Sequence, residues 1–335
     1  MILVTGGTGL VGSHLLVRLA KKGLPVRALY RDPKSKETVL KIFSYYHENA
    51  SDLFEKISWH QADINDIPAL ESAFEGVTKV YHAAAYISFD PNDYERLLKV
   101  NAEGTANIVN LCLLFSIEKL CYVSSIATLG PSVSVAMTNE ENEFTEQHAN
   151  VYARSKYLAE LEVWRGAQEG LTVVTVNPGI IIGPGFWKGG SGNLFTTADR
   201  GSRFYPPGGT GFVTVNDVVR LMLKLMESPV RNERYLAVSE NLTYKRMLEL
   251  FADSLDKPMP KTILRFWQLD FLRWMDWLWS LVSGNARKLT KNGIRSLRQQ
   301  ERYDTQKSKT ELDFDFEPVA PTIAFSCQKF IEERS

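Results

Sequence analysis

Ile2-Leu3-Val4-Thr5-Gly6-Gly7-Thr8-Gly9-Leu10-Val11-Gly12 runs from a short apolar stretch into glycines at every third position, and then into a helical pattern. The apolar stretch does not alternate with polar residues, so it reads as a strand buried on both faces. Gly6 permits a tight turn, Gly9 lets backbone approach a phosphate, and Gly12 lets the helix pack close to the sheet. Backbone N–H groups at the helix start, assisted by the helix dipole, then bind an anion. The spacing of three and three differs from the two and three of the common fingerprint. A glycine cluster alone is a plain turn. Set between a buried strand and an amphipathic helix, it points to a dinucleotide cradle in which Thr8, Leu10 and Val11 complete the loop.

The pattern continues downstream. Apolar runs at Ile2–Thr5, Val26–Tyr30, Ile57–His60, Lys79–His82, Leu120–Ser124 and Thr172–Val176 alternate with helical stretches at Val11–Lys22, 34–55, Ile67–Phe74, Tyr94–Phe115 and Tyr152–Gly166. Strands alternating with helices predict a Rossmann-type α/β fold, a doubly wound parallel sheet with a smaller, mostly helical C-terminal substrate lobe. Gly23-Leu24-Pro25 supplies the stop for the first helix. After Asn177-Pro178-Gly179 the chain becomes rich in glycine and proline, and Phe212–Val215 reads as a returning strand. The expected division is 1–178 for the nucleotide-binding domain, with 212–238 returning to it, and 179–211 plus 239–335 for the substrate lobe.

With 335 residues the chain is long enough for a sizeable core. Lys plus Arg and Asp plus Glu are both 39, so no net field draws it to nucleic acid. Cys112, Cys121 and Cys327 are too few and too scattered for a disulfide framework or a zinc site, and no metal is expected. Met1–Val4 already reads as strand, which leaves no room for a leader, and no run of eighteen apolar residues occurs. A cytoplasmic location is the expectation.

Five further segments bear chemistry. Tyr30 stands eighteen residues past Gly12, where NAD-preferring sites place a carboxylate for the ribose 2′-OH; Arg31 follows, and Arg27 precedes it on the strand. A guanidinium there can bind a 2′-phosphate bidentately, so NADP (NADPH) is expected, with NAD as the alternative. Asp32, before Pro33, reads as a turn residue. Asp63 and Ile64 are placed to meet the adenine edge, and Ala83 and Ala84 leave space for the cofactor to cross the sheet. Ser124 and Ser125 end a strand at the edge where open parallel sheets bind ligands. Ser125 is expected to donate a hydrogen bond to a substrate carbonyl, Ser124 to contact backbone or cofactor, and Thr128 competes for the hydroxyl role. Tyr152 and Lys156, four apart, share one helix face. A phenol titrates near 10, and a neighbouring ammonium is expected to lower it into the range of a proton shuttle, while the lysine also holds the ribose.

Together with Ala83-Ala84-Ala85, Val100-Asn101-Ala102-Glu103-Gly104-Thr105, Tyr122-Val123-Ser124-Ser125 and Asn177-Pro178-Gly179, these motifs resemble the extended short-chain dehydrogenase/reductase superfamily, also called the NAD-dependent epimerase/dehydratase family. Val26–Pro33 and Phe204–Gly209 are similar to its dihydroflavonol reductase-like branch. The resemblance implies that Ser125, Tyr152 and Lys156 form the catalytic triad with Asn101 as a catalytic or backbone-bonding part. It also implies that Arg31 reads the NADP phosphate, that Pro178 and Gly179 frame the nicotinamide end, and that the chain forms a homodimer through the helices of 101–115 and 152–166. It implies an oxidoreductase acting on a small-molecule carbonyl or alcohol. Nucleotide-sugar epimerases usually carry an arginine before the returning strand; Gly209–Val213 has none, although Arg200 and Arg203 lie upstream. An epimerase or dehydratase with bound NAD, or a non-catalytic NADP-binding regulator, are the alternative readings.

Four of the seven tryptophans fall within Ile263–Val282. On a helical wheel Arg265, Arg273, Asp276 and Ser280 gather on one side, and Trp267, Phe271, Trp274, Leu278 and Leu281 on the other. The segment reads as lobe core, as the lining of an apolar pocket, or as an interfacial membrane helix. Mixed charge on its polar face argues against a membrane, and the basic tract Arg287–Lys291 argues for one. As pocket lining it implies a bulky, apolar substrate.

Overall fold

Runs rich in valine, leucine and isoleucine form parallel strands only when helical crossovers connect them, and the first half of the chain supplies both. A computed structural model describes residues 1–130, 137–283 and 291–334. It contains β1 (Ile2–Thr5), α1 (Leu10–Lys21), β2 (Val26–Tyr30), α2 (Ser35–Ser44), α3 (Ala50–Glu55), β3 (Ser58–Gln61), α4 (Ile67–Phe74) and β4 (Lys79–His82). Next come α5 (Tyr94–Leu97), a π-helical turn (Leu98–Glu103), α6 (Gly104–Leu114), β5 (Lys119–Val123), α7 (Val151–Gln168) and β6 (Val173–Pro178). The remainder holds β7 (Ile180–Ile182), α8 (Asn193–Asp199), β8 (Phe204–Tyr205), β9 (Gly209–Thr214), α9 (Val215–Glu227), β10 (Glu233–Ala237), β11 (Glu240–Thr243) and α10 (Tyr244–Ser254). It ends with β12 (Thr262–Ile263), α11 (Phe266–Ser283), α12 (Lys291–Arg298), α13 (Gln306–Leu312) and α14 (Val319–Glu332).

Seven parallel strands pair in the order β10-β6-β5-β4-β1-β2-β3. The chain winds outward from β1 to β3 and then restarts at β4 on the other side of β1. The carboxyl ends of β1 and β4 therefore flank a topological switch point, where open parallel sheets hold ligands. One face of the sheet is covered by a core that includes Leu15, Leu16, Ile42, Phe43, Val218 and Met222, the other by one that includes Leu70, Phe74, Ile108, Val109, Ala159 and Val163. The predicted strand Ile57–His60 is shifted by one residue and is half-exposed, because β3 is the edge of the sheet. The single helix read over Tyr94–Phe115 is interrupted by the π-helical turn, which seats Asn101 in the interior.

The returning strand differs from expectation. β9 pairs with β7 and β11 in a separate three-stranded sheet, and it is α9 and β10 that rejoin the large sheet. A third core joins Phe195, Phe212, Met247, Phe251, Ile323 and Phe330. The tryptophan-rich helix α11 has no part in it. Among its described side chains only Leu269 is buried, so the reading of this segment as lobe core is corrected.

Gly12 shows how closely the first turn is built: a Cβ there would lie 2.1 Å from the carbonyl oxygen of Gly6. Gly23, at φ +68°, has nothing within 4 Å. Gly12→Ala should therefore cost about 3 kcal/mol of unfolding free energy from overpacking, and Gly23→Ala about 1 kcal/mol from left-handed strain. Urea midpoints at unchanged slope measure both, and equal losses would contradict the close approach.

Candidate active site

The turn after β1 is pressed against the end of β4. Gly6 sits at φ +67°, and a Cβ there would lie 2.5 Å from the amide nitrogen of Ala84. Ala83 N donates to Thr5 O at 3.2 Å, and Gly9 N to Gly6 O at 2.9 Å. Gly9 caps α1 without any side-chain hydrogen bond, so no side chain occupies the acceptor position at this helix start. Thr8 and Leu10 are half-buried on the loop, whereas the Val11 side chain enters the core and offers only backbone. A glycine turn packed this tightly against the end of β4, at an uncapped helix N-terminus, fits a dinucleotide pyrophosphate.

At the end of β2, Arg31 is exposed, with its guanidinium 3.6 Å from the Asp63 carboxylate. An exposed pair of this length contributes about 0–1 kcal/mol, so the arginine is readily available to another anion. Arg27 is not: its guanidinium donates to the carbonyls of Ala73 and Glu75 at 2.7 and 2.9 Å. Asp32 accepts from Lys34 N at 3.0 Å, which makes it a turn residue. Of the pair expected at the adenine edge only Asp63 is accessible. Ile64 is buried against α6, where a Cβ on Gly104 would lie 2.5 Å from its Cδ1.

Asn150 starts α7 by accepting from Ala153 N at 2.8 Å, which puts Tyr152 in the first turn. Burial pushes its phenol up to about 12, and the nearby Ser125 side chain pulls the other way. Lys156 lies one turn on, fully buried, with Nζ donating to Tyr122 Oη at 2.6 Å and Val123 O at 2.9 Å. Burial pushes this lysine down to about 7, against the pull of Glu160. The expected lowering of the Tyr152 phenol by Lys156 is thus corrected: the ammonium is directed at Tyr122, and desolvation of the phenol dominates.

Three participants were not anticipated. His82 is buried between Thr5 Oγ1 (2.6 Å) and Thr105 Oγ1 (2.9 Å), and stacks on Tyr122 with ring centroids 5.4 Å apart. Burial, then the charge of Lys156, pushes it down to about 3, so the imidazole is neutral. Tyr122 lies between this imidazole and the lysine. The third is Glu160, buried one turn beyond Lys156 on the same helix face, a spacing that the sequence does display.

Glu160 absorbs several residues with other expected roles. Ser124 Oγ donates to it at 2.5 Å and Thr128 Oγ1 at 2.9 Å, so neither hydroxyl faces a substrate or cofactor. Asn177 Nδ2 reaches the same carboxylate oxygen at 3.0 Å and the Ser125 carbonyl at 3.2 Å. Asn101 is also committed: its amide donates to Tyr86 O and Ser155 Oγ and accepts from Tyr86 N at 2.7 Å. It clamps the strand-end loop to α7 rather than reaching the Ser125–Tyr152 pair. Pro178 ends β6, and Gly179 lets β9 approach, since a Cβ would lie 2.4 Å from Gly211 O.

Comparison with known proteins agrees with this geometry. The family model described as "NAD dependent epimerase/dehydratase family" matches residues 2–238, and the chain belongs to that family. It is 28% identical over 328 residues to the "Putative dihydroflavonol 4-reductase" of Synechocystis sp., covering 96% of this chain and 92% of that one. Identity to anthocyanidin reductase of Arabidopsis thaliana is 28% over 282 residues, covering 77% and 80%. The crystal structure of gox2253 superposes with a TM-score of 0.83 at 25% identity, covering 99% and 98%. The protein is an NAD(P)-dependent oxidoreductase of the extended short-chain type.

The depressed Lys156 gives a sign-definite test. Its folded value of about 7 lies below the ordinary 10.5, so between these limits the unfolded chain binds a proton that the folded chain does not. Stability must then rise with pH from about 7 to 10. Lys156→Met should flatten this rise, as read from thermal midpoints across the window; an unchanged slope would contradict a buried, depressed lysine.

Proposed function

We propose that the protein uses NADPH to reduce a carbonyl on a bulky, apolar small molecule, or oxidises the corresponding alcohol. The substrate class is dihydroflavonol-like or hydroxysteroid-like. The observation that carries this reading is the placement of Tyr152 and the buried Lys156 one turn apart on α7, with Lys156 Nζ bonded to the end of β5 just before Ser125. Apolar surroundings support the substrate class: the Phe89 ring meets the Tyr152 ring edge-on at 5.5 Å, and Ile87 and Phe89 are both exposed beside it.

Bound NADPH supplies the hydride. Gly6, Gly9, Gly12 and the backbone of the loop hold its pyrophosphate, and Ala83, Ala84, Pro178 and Gly179 border its path. Arg31 holds the 2′-phosphate. Tyr152 delivers the proton to the substrate oxygen, and its raised pKa keeps it protonated at neutral pH, as the reducing direction requires. Ser125 donates a hydrogen bond to the same oxygen as negative charge develops. Lys156, close to half-protonated at neutrality, holds the ribose hydroxyls, and the phenolate left on Tyr152 takes its next proton from solvent. A second copy of the chain is proposed to pack on α6 and α7, which leave Leu114 and Leu161 exposed.

Tyr152→Phe should abolish turnover with apolar ketones while NADPH affinity, read by fluorescence titration, changes less than about twofold. An active Phe variant would overturn the mechanism. For the nucleotide, Arg31→Ala should weaken NADPH by about 10–100-fold, the value of one charge-assisted hydrogen bond, and leave NADH unaffected. Tighter binding of NADH than NADPH by the unmodified protein would overturn the NADP assignment.

A further inference from the structure

Helix α11 is packed the wrong way round for an aqueous surface. Leu269, Arg273, Asp276 and Ser280 share one face and are, with Gln268, its least exposed described side chains. The opposite faces are apolar and open to solvent: Phe266, Trp267, Phe271, Trp274, Trp277 and Trp279 are between 42% and 66% exposed. Six half-exposed aromatic rings leave roughly 600 Å² of apolar surface, at the limit of what monomers usually present to water. Arg298 of α12 secures the helix start, reaching the Asp270 carboxylate at 2.6 Å and Phe266 O at 2.8 Å. Asp270 also lies 4.0 Å from Arg273, so this carboxylate is paired within the two helices.

We infer that α11 and α12 dock this protein on an anionic lipid surface, with the α11 aromatics seated in the headgroup and upper acyl region. Charge complementarity selects that occupant. Between residues 263 and 300 seven Lys and Arg face only two Asp, a net of +5 in a chain whose total is zero. Arg287 and Lys288 of this tally lie outside the described residues. A second copy would bring the same excess of cations to the interface, whereas anionic headgroups attract it. Tryptophans suit the headgroup depth because their rings are apolar with one polar edge. Among the described residues no helix is long and apolar enough to cross a membrane, so α11 lies in the interface plane. The inference rests on this surface and not on the proposed reaction.

Full-length protein is to be sedimented with phosphatidylcholine vesicles and with vesicles that also contain phosphatidylserine. Binding to the anionic vesicles at least about tenfold tighter than to the neutral ones, with a blue shift of tryptophan emission, is expected. The triple variant Trp267→Ser, Trp274→Ser, Trp279→Ser should lose binding, and Arg265→Glu with Arg295→Glu should weaken it at least about tenfold. Both variants should keep the circular dichroism of the parent, since every replaced side chain is at least partly exposed. No sedimentation with either vesicle, or equal binding to both, would overturn the inference. So would a fall in solution mass on tryptophan replacement without vesicle binding, which would identify a second copy as the occupant.

Discussion

A buried carboxylate without partners is among the most costly features a fold can contain, and Glu160 is tolerable only because five groups satisfy it. Ser124, Thr128 and Asn177 converge on one oxygen, while Trp164 and Arg234 reach the other at 3.4 and 3.2 Å. These groups come from the end of β5, the turn after it, the end of β6, α7 itself and β10. The one carboxylate therefore ties together the strand ends that carry Ser125 and the helix that carries Tyr152 and Lys156. Shifting any of the five takes a partner from a buried carboxylate, so the register between the strand-end hydroxyl and the first turn of α7 is held tightly.

Desolvation then sets the protonation states around that frame. The imidazole of His82 is pushed down, the phenols of Tyr122 and Tyr152 are pushed up, and Lys156 is pushed down to about 7. All four shifts favour the neutral form, as burial in a low-dielectric interior requires. The site thus rests with a protonated Tyr152 and a lysine near its midpoint. Binding of a charged cofactor beside it acts on a lysine whose charge is easily altered.

Much of this was legible in the sequence. The strands at Ile2–Thr5, Val26–Tyr30 and Lys79–His82 and the helix at Ile67–Phe74 have the expected limits, because buried parallel strands are uniformly apolar and glycine or proline marks their ends. The Gly6–Gly12 turn could be read because only glycine fits where a backbone oxygen lies 2.1 Å from a would-be Cβ. The pairing of β9 with β7 and β11 was not legible, since a short apolar strand carries no sign of which sheet receives it. The partners of Ser124, Thr128 and Asn101 were not legible for a related reason. Residue type and spacing reveal a hydroxyl or amide at a strand end or helix start, but the partner that captures it, here Glu160 or the Tyr86 backbone, comes from a distant part of the chain. α11 was legible as an amphipathic helix, although not which of its faces would meet the protein.

The most direct measurement of the central claim is isotopic. NADPH carrying deuterium at the transferring position of the nicotinamide is incubated with the protein and a panel of bulky apolar ketones, and the products are examined by mass spectrometry. Deuterium on the new carbinol carbon of at least one product is the predicted result. Alcohol without deuterium, or no oxidation of NADPH with any ketone in the panel while the nucleotide is bound, would contradict a hydride-transferring site built on Ser125, Tyr152 and Lys156.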